Sequence, residues 1–146
     1  MNIAAPLRIL CVDDNLMVAE ALGRRIAREP DMIWCGVITE TDPIYNCLIE
    51  LQPNIVLMDI DMPMTDTFAI VARLAEFAPH VRVLMFSGHV IPAYIDRAFD
   101  CGAWGYLSKN DDVAKLLDAI RRAARGEIAV SEEVEIVQRH TLHRNL

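Results

Sequence analysis

Four short apolar runs in the sequence are each followed at once by a side chain capable of chemistry. Asp13 and Asp14 follow Leu7–Val12, and Asp59, with Asp61 two residues on, follows Ile55–Met58. Ser87, then Gly88, follows Val81–Phe86, and Ser108 with Lys109 follows Trp104–Leu107. Acids therefore end two runs, a hydroxyl a third and a single amine a fourth. Carboxylates gathered in one place repel and resist joint ionisation unless a cation stands between them. Asp13, Asp14 and Asp59 would bring about −3, balanced by about +2 from a magnesium (or manganese) ion and about +1 from Lys109. Magnesium prefers one or two protein carboxylates together with water and phosphate oxygens. A carboxylate is a covalent phosphoryl acceptor, and a metal with a lysine neutralises the oxygens of the transferring group. The set therefore suits the receipt of a phosphoryl group, with the Ser87 hydroxyl placed to hydrogen-bond one of its oxygens.

Taken singly, each residue has a plainer role. An aspartate at a strand end is more often a helix cap or a turn residue, and Asp14 or Asn15 would cap the helix that follows. Ser87-Gly88 is a common loop pair, and Lys109 alone reads as a solvated lysine. Tyr106 is as well suited to packing as to switching. Trp104 suits the core or an exposed contact surface. The four histidines show no tight ligand spacing, and the seven methionines read as core filler. What argues for chemistry is the joint delivery of complementary groups to one edge.

The elements that must position these groups are legible in the pattern. A fifth apolar run, Ile33–Ile38, joins the other four, and all five are apolar almost throughout. That fits strands covered on both faces of a parallel sheet. Between them apolar residues recur at helical spacing: Leu16, Ala19, Leu22, Ile26; then Phe68, Val71, Leu74 and Phe77 or Ala78; then Val113, Leu116, Leu117, Ile120. Pro43 and Pro92 suit first turns of helices, and Gly102 and Gly126 suit helix ends. Five βα units with right-handed crossovers predict an α/β domain with a doubly wound, five-stranded parallel sheet between helical layers. In such sheets ligands gather at the carboxyl ends of strands, where strand order reverses. Residues 1–126 form this expected domain. Residues 127–146 are expected to be an accessory tail or linker, with Ser131 available to cap a short helix.

Composition bounds the function classes. The 146 residues amount to about one domain. Apolar residues make up 53% and charged residues 24%, enough for a proper core. Fourteen basic against 21 acidic residues give a net charge of −7, a poor balance for binding nucleic acid or an anionic membrane directly. No apolar run approaches the roughly 18 residues of a membrane span. MNIAAPLRIL lacks the pattern of a secretory signal. Cys11, Cys35, Cys47 and Cys101 form no C-x-x-C pair, so buried thiols in a reducing, cytoplasmic compartment are expected.

The segments ILCVDDN (9–15), IVLMDIDMPM (55–64), VLMFSGH (83–89) and GAWGYLSK (102–109) together resemble the receiver domain of two-component response regulators. The likeness runs from about Leu7 to Gly126, and its G-x-x-G-Y-L-x-K ending is similar to receivers that precede a helix-turn-helix DNA-binding head. It implies a flavodoxin-like sheet of order 2-1-3-4-5. It also implies that Asp59 accepts the phosphoryl group and that Asp14 and Asp59 bind magnesium through their side chains. Asp61 would bind it through its backbone carbonyl, and Asp13 through metal-bound water. Ser87 and Tyr106 would be the switch pair, and Lys109 would meet a phosphoryl oxygen. The implied partners are a sensor histidine kinase or phosphotransfer protein, and a second copy or output domain on the face of helix 4, strand 5 and helix 5. DNA would be reached only through an output domain. Two departures stand out. Thr67 occupies a slot where the family usually has glycine, which predicts strain or a different loop backbone, and Asn110 replaces a frequent proline after the lysine.

Two other classes compete. Asp59-Ile60-Asp61 also resembles the D-x-D pair of haloacid-dehalogenase-type phosphohydrolases, but that family places D-x-D after its first strand and its acidic pair late, and is normally longer. A flavin or nucleotide carrier would need a phosphate-binding loop; G-x-G-x-x-G is absent, and Asp13 and Asp14 would repel a phosphate without a metal. A receiver that signals without phosphorylation is the third alternative.

Overall fold

A computed structural model describes residues 5–144; the reading of the first four residues falls outside them. The chain alternates β1 (Leu7–Val12), α1 (Leu16–Ile26), β2 (Met32–Ile38), α2 (Ile44–Leu51), β3 (Ile55–Met58), α3 (Thr67–Phe77), β4 (Arg82–Ser87), α4 (Pro92–Asp100), β5 (Gly105–Ser108) and α5 (Val113–Ala124), and continues into β6 (Ala129–Val130) and α6 (Glu132–Arg144). The sheet is parallel throughout, in the order β2-β1-β3-β4-β5-β6. The expected order of five strands is therefore present, with a sixth strand added outside β5. Two residues of β6 are too few to show a period in the sequence. Gly105 admits them, since a Cβ there would collide with the Ala129 carbonyl.

Alternate strand residues feed two cores. Ile9, Cys11, Leu57, Phe86 and Leu107 pack with α1 and α5. Leu10, Val12, Met58, Met85 and Tyr106 pack on the other face with α2, α3, α4 and, through Val134, α6. Coverage on both faces explains the near-continuous apolar runs of the central strands. Edge strand β2 is the exception, with Ile33 exposed. The helical stripes are buried where predicted at Ala19, Leu22, Ile26, Val71, Leu74, Leu116, Leu117 and Ile120. The α3 stripe ends on Ala78, while Phe77 is exposed. Trp104 is half-buried, with the Arg82 guanidinium 4.7 Å above its ring. The four cysteines are free, and burial above all pushes the Cys11 thiol far up.

Local chemistry sets the starts of the helices. Asn15 caps α1, its side chain accepting from Val18 N, so Asp14 is left free of that duty. Asp66 and Asp112 cap α3 and α5 in the same way. Pro92 opens α4 at a position whose N–H would have no helical partner. The expected strain at Thr67 is not found. Thr67 is the buried first residue of α3, and its hydroxyl donates to Ile60 O. The left-handed backbone falls instead on Met64 (φ 56°), three residues earlier and fully exposed. Among the described residues, no helix is long and apolar enough to cross a membrane.

Candidate functional site

β1 pairs with β2 on one side and β3 on the other, so its carboxyl end is where strand order reverses. The ladder continues one residue past each strand: Asp13 N donates to Ile38 O and Asp59 N to Val12 O. Those bonds fix the two aspartates side by side at the mouth of the switch point. Both are buried, while Asp14 is exposed beside them. One carboxylate oxygen from each of the three lies within 4.8 Å of the others. Octahedral magnesium with oxygens at about 2.1 Å sets neighbouring oxygens about 3 Å apart and opposite ones about 4 Å apart, so the cluster is of the right size after small rotations.

Lys109 enters from the end of β5. Its backbone N donates to Ser87 O, which holds the start of its side chain against β4. Its ammonium stands 2.7 Å from Asp13 Oδ2 and 3.5 Å from Asp59 Oδ2. The Asp13 contact is an ion pair without aligned hydrogen-bond geometry, so Asp13 Oδ2 stays without an aligned donor. A buried carboxylate oxygen in that condition is suited to a further cation or a water. Burial works to lower the Lys109 ammonium, but Asp13 and Asp59 outweigh it and hold the lysine above its ordinary range. Asp59 is pushed up to about 6, chiefly by burial and then by the Asp13 charge, against the pull of the Asp61 N–H and of Lys109. The donor set is thus all-oxygen and excess-negative, the condition that a hard divalent cation relieves.

The remaining predicted residues close around this centre. Asp61 N donates to Asp59 Oδ1, which orients the Asp59 carboxylate, and the Asp61 carboxylate meets His89 Nδ1 at 2.6 Å. Ser87 is fully buried, and its Oγ accepts from His89 N. Tyr106 is fully buried, and its hydroxyl donates to His89 O at 2.5 Å. Burial pushes that phenol up to about 12. The structure therefore brings together Asp13, Asp14, Asp59 and Lys109, with Ser87, Asp61 and Tyr106 linked through His89. Nearness to the site places Asp61 and His89 where they affect water access; the role of His89 as the link depends on the loops after β3 and β4 meeting, which no spacing announces. Ser131 caps nothing with its side chain: its Oγ accepts from Ser108 N, and Asp111 Oδ2 takes the Glu133 N–H at the start of α6.

Fold and site together define a flavodoxin-like domain with a lysine-bridged acidic cleft at the carboxyl edge of its sheet. The response regulator receiver domain family matches residues 9–121, and the chain belongs to that family. The transcriptional regulatory protein YvfU of Bacillus subtilis is 29% identical over 88% of this chain and 64% of its own length. The transcriptional regulatory protein DegU of Brevibacillus brevis is 27% identical over 88% of this chain and 54% of its own. The chain thus spans less than two thirds of the length of these relatives. A LuxR-family two-component response regulator from Aurantimonas sp. SI85-9A1 superposes with a TM-score of 0.86 at 28% identity, over 94% of this chain and 99% of that one. The signal receiver domain of NarL from Mycobacterium tuberculosis shares the fold, with a TM-score of 0.78 at 23% identity over 85% of this chain and 100% of that one.

Proposed function

We propose that Asp59 accepts a phosphoryl group from a phosphohistidine on a sensor kinase or phosphotransfer protein. The observation that carries this is the convergence of buried Asp59 with Asp13, Asp14 and the Lys109 ammonium at the switch point. An ionised Asp59 oxygen attacks phosphorus; the P–N bond breaks, and the imidazole keeps its electron pair. The Asp61 N–H holds Asp59 Oδ1 in place, so the carboxylate is already oriented when the donor arrives. Lys109 offers its positive charge to the phosphoryl oxygens, in a cleft where burial strengthens that attraction. Asp14 and Asp59 would hold magnesium or manganese with the Asp61 carbonyl, and Asp13 would do so through water. The bound cation would supply charge neutralisation for the phosphoryl oxygens.

Ser87 would turn from His89 N toward the new phosphoryl group. Tyr106 shares His89 through that residue's carbonyl, so the turn reaches α4 and β5. The switch face of α4, β5 and α5 is the reading's partner surface. α6 lies on part of it, Val134 being buried with Tyr106 and Ile95, so a second copy or output domain would meet α6 there as well. Control of transcription is the output this reading favours, since the relatives carry that name. A net charge of −7 makes an output domain the more suitable contact with DNA. The compartment this implies is the cytoplasm. The phosphohydrolase reading loses ground, because the Asp61 carboxylate is tied to His89 instead of standing free as a general acid.

Incubation with acetyl phosphate and magnesium, followed by intact mass measurement, tests the proposal. One phosphoryl addition that disappears in Asp59→Asn is expected. No addition, or addition that survives that substitution, rejects it.

A further inference from the structure

The loop that carries Lys109 is fastened to the C-terminal segment. Ser108, immediately before the lysine, is fully buried. Its N–H donates to Ser131 Oγ at 2.9 Å, and its hydroxyl donates to the Glu133 carboxylate. The same hydroxyl accepts from Asn110 N at 3.1 Å, so it folds the turn that follows the lysine. Asp111 N donates to Ser108 O, and Asp111 Oδ2 accepts from Glu133 N. Residues 108–111 are therefore held on one side by β4, through Lys109 N to Ser87 O, and on the other by the β6–α6 junction. Just after β6, Ser131 N donates to Tyr106 O. Ser131 is buried at 2% exposure, a costly place for a hydroxyl unless its bond is needed.

We propose that Ser131 and Glu133 are positioning residues for Lys109, acting through Ser108, so that the β6–α6 segment tunes how well the Asp59 site receives a phosphoryl group. This rests on the reading of Asp59 as the phosphoacceptor. A lysine has a long flexible stem, and the direction of its Cα–Cβ bond decides where the ammonium spends its time. The two bonds at Ser108 fix the backbone one residue away, on the side that β4 leaves open. Loss of either frees the turn, and the ammonium then shares its time between Asp13, Asp59 and solvent. The carboxylate cluster is held by β1 and β3 and is untouched by that loss.

Beryllofluoride, which occupies the place of a phosphoryl group on a carboxylate, is the probe, titrated by fluorine NMR in magnesium. Glu133 is partly exposed, so Glu133→Ala keeps the fold; Ser131→Ala is the buried counterpart. Each is expected to weaken beryllofluoride binding about fivefold, while magnesium binding measured alone is unchanged. Glu133→Gln keeps an oxygen acceptor and is expected to stay within twofold of the unaltered protein, about 0.4 kcal/mol. In a Lys109→Ala background, Glu133→Ala is expected to add nothing, because the group it positions is gone. Unchanged affinity in Glu133→Ala, an equal loss of magnesium affinity, or a full additive loss on top of Lys109→Ala would overturn the inference. Failure of the unaltered protein to bind beryllofluoride at all, or binding that survives Asp59→Asn, defeats the Asp59 reading and this inference with it.

Discussion

Lys109 lies closer to Asp13, at 2.7 Å, than to Asp59, at 3.5 Å. Its charge is shared between a carboxylate that stays and the one proposed to react. Removing it leaves two buried acids without their fixed cation. Lys109→Ala is expected to destabilise the protein by about 3 kcal/mol in metal-free buffer. Magnesium should restore much of that loss, and chemical denaturation with and without the metal measures both. Phosphorylation by acetyl phosphate should fall about a hundredfold, as when one fixed stabilising group is taken from a transition state.

The raised pKa of Asp59 has a consequence for stability. It stands near 6 in the fold against an ordinary 3.8. Between those values the folded state holds more protons than the unfolded one. Stability therefore falls as pH rises through this window and stays lower above it. Asn carries no charge to bury. Asp59→Asn is expected to be more stable than the unaltered protein at pH 7 without divalent metal, by about 1–3 kcal/mol, and the gap should close toward pH 4. Equal or lower stability of the variant at pH 7 contradicts the burial of an ionised Asp59. Magnesium should reverse the ranking, since it stabilises the form that has the carboxylate.

The His89 ring and the Asp61 carboxylate bridge the loops after β4 and β3 beside the site. The pair is exposed, so its effect on stability is small. Its effect on water is the larger expectation. His89→Ala opens that side of the cleft and should hasten hydrolysis of the Asp59 acyl phosphate about two- to fivefold. Decay of the phosphorylated form, followed by intact mass, gives the rate. Slower or unchanged decay would show that water arrives by another route.

Met64 holds a left-handed backbone with its side chain fully exposed. Met64→Gly removes the steric cost without removing any packing, so a gain of about 0.5–1 kcal/mol is expected. Thr67→Gly should do the opposite, losing about 1–2 kcal/mol with the buried hydroxyl bond to Ile60 O. Paired thermal unfolding curves check both signs, and a gain in Thr67→Gly would restore the expectation of strain at that position.

The order of chemistry along the chain was local information, and so the sequence carried it. An apolar run predicts a buried strand, the residue after it stands at the carboxyl edge, and Asp13, Asp59, Ser87 and Lys109 each occupy such a place. Right-handed crossovers leave little choice of topology, which brings those ends together. The left-handed backbone at Met64 belongs to the turn Met62–Thr65, closed by Thr65 N donating to Met62 O, while Thr67 is fastened by its hydroxyl to Ile60 O, a contact that no spacing announces. Strand β6 depends on Gly105 leaving room for the Ala129 carbonyl. Ser131 looks like a helix cap by type, yet its hydroxyl serves Ser108 across the sheet. Side-chain hydrogen bonds of this kind join residues far apart in the chain. Their choice of partner is made by packing, which periodicity does not record, and only the tertiary structure decided it.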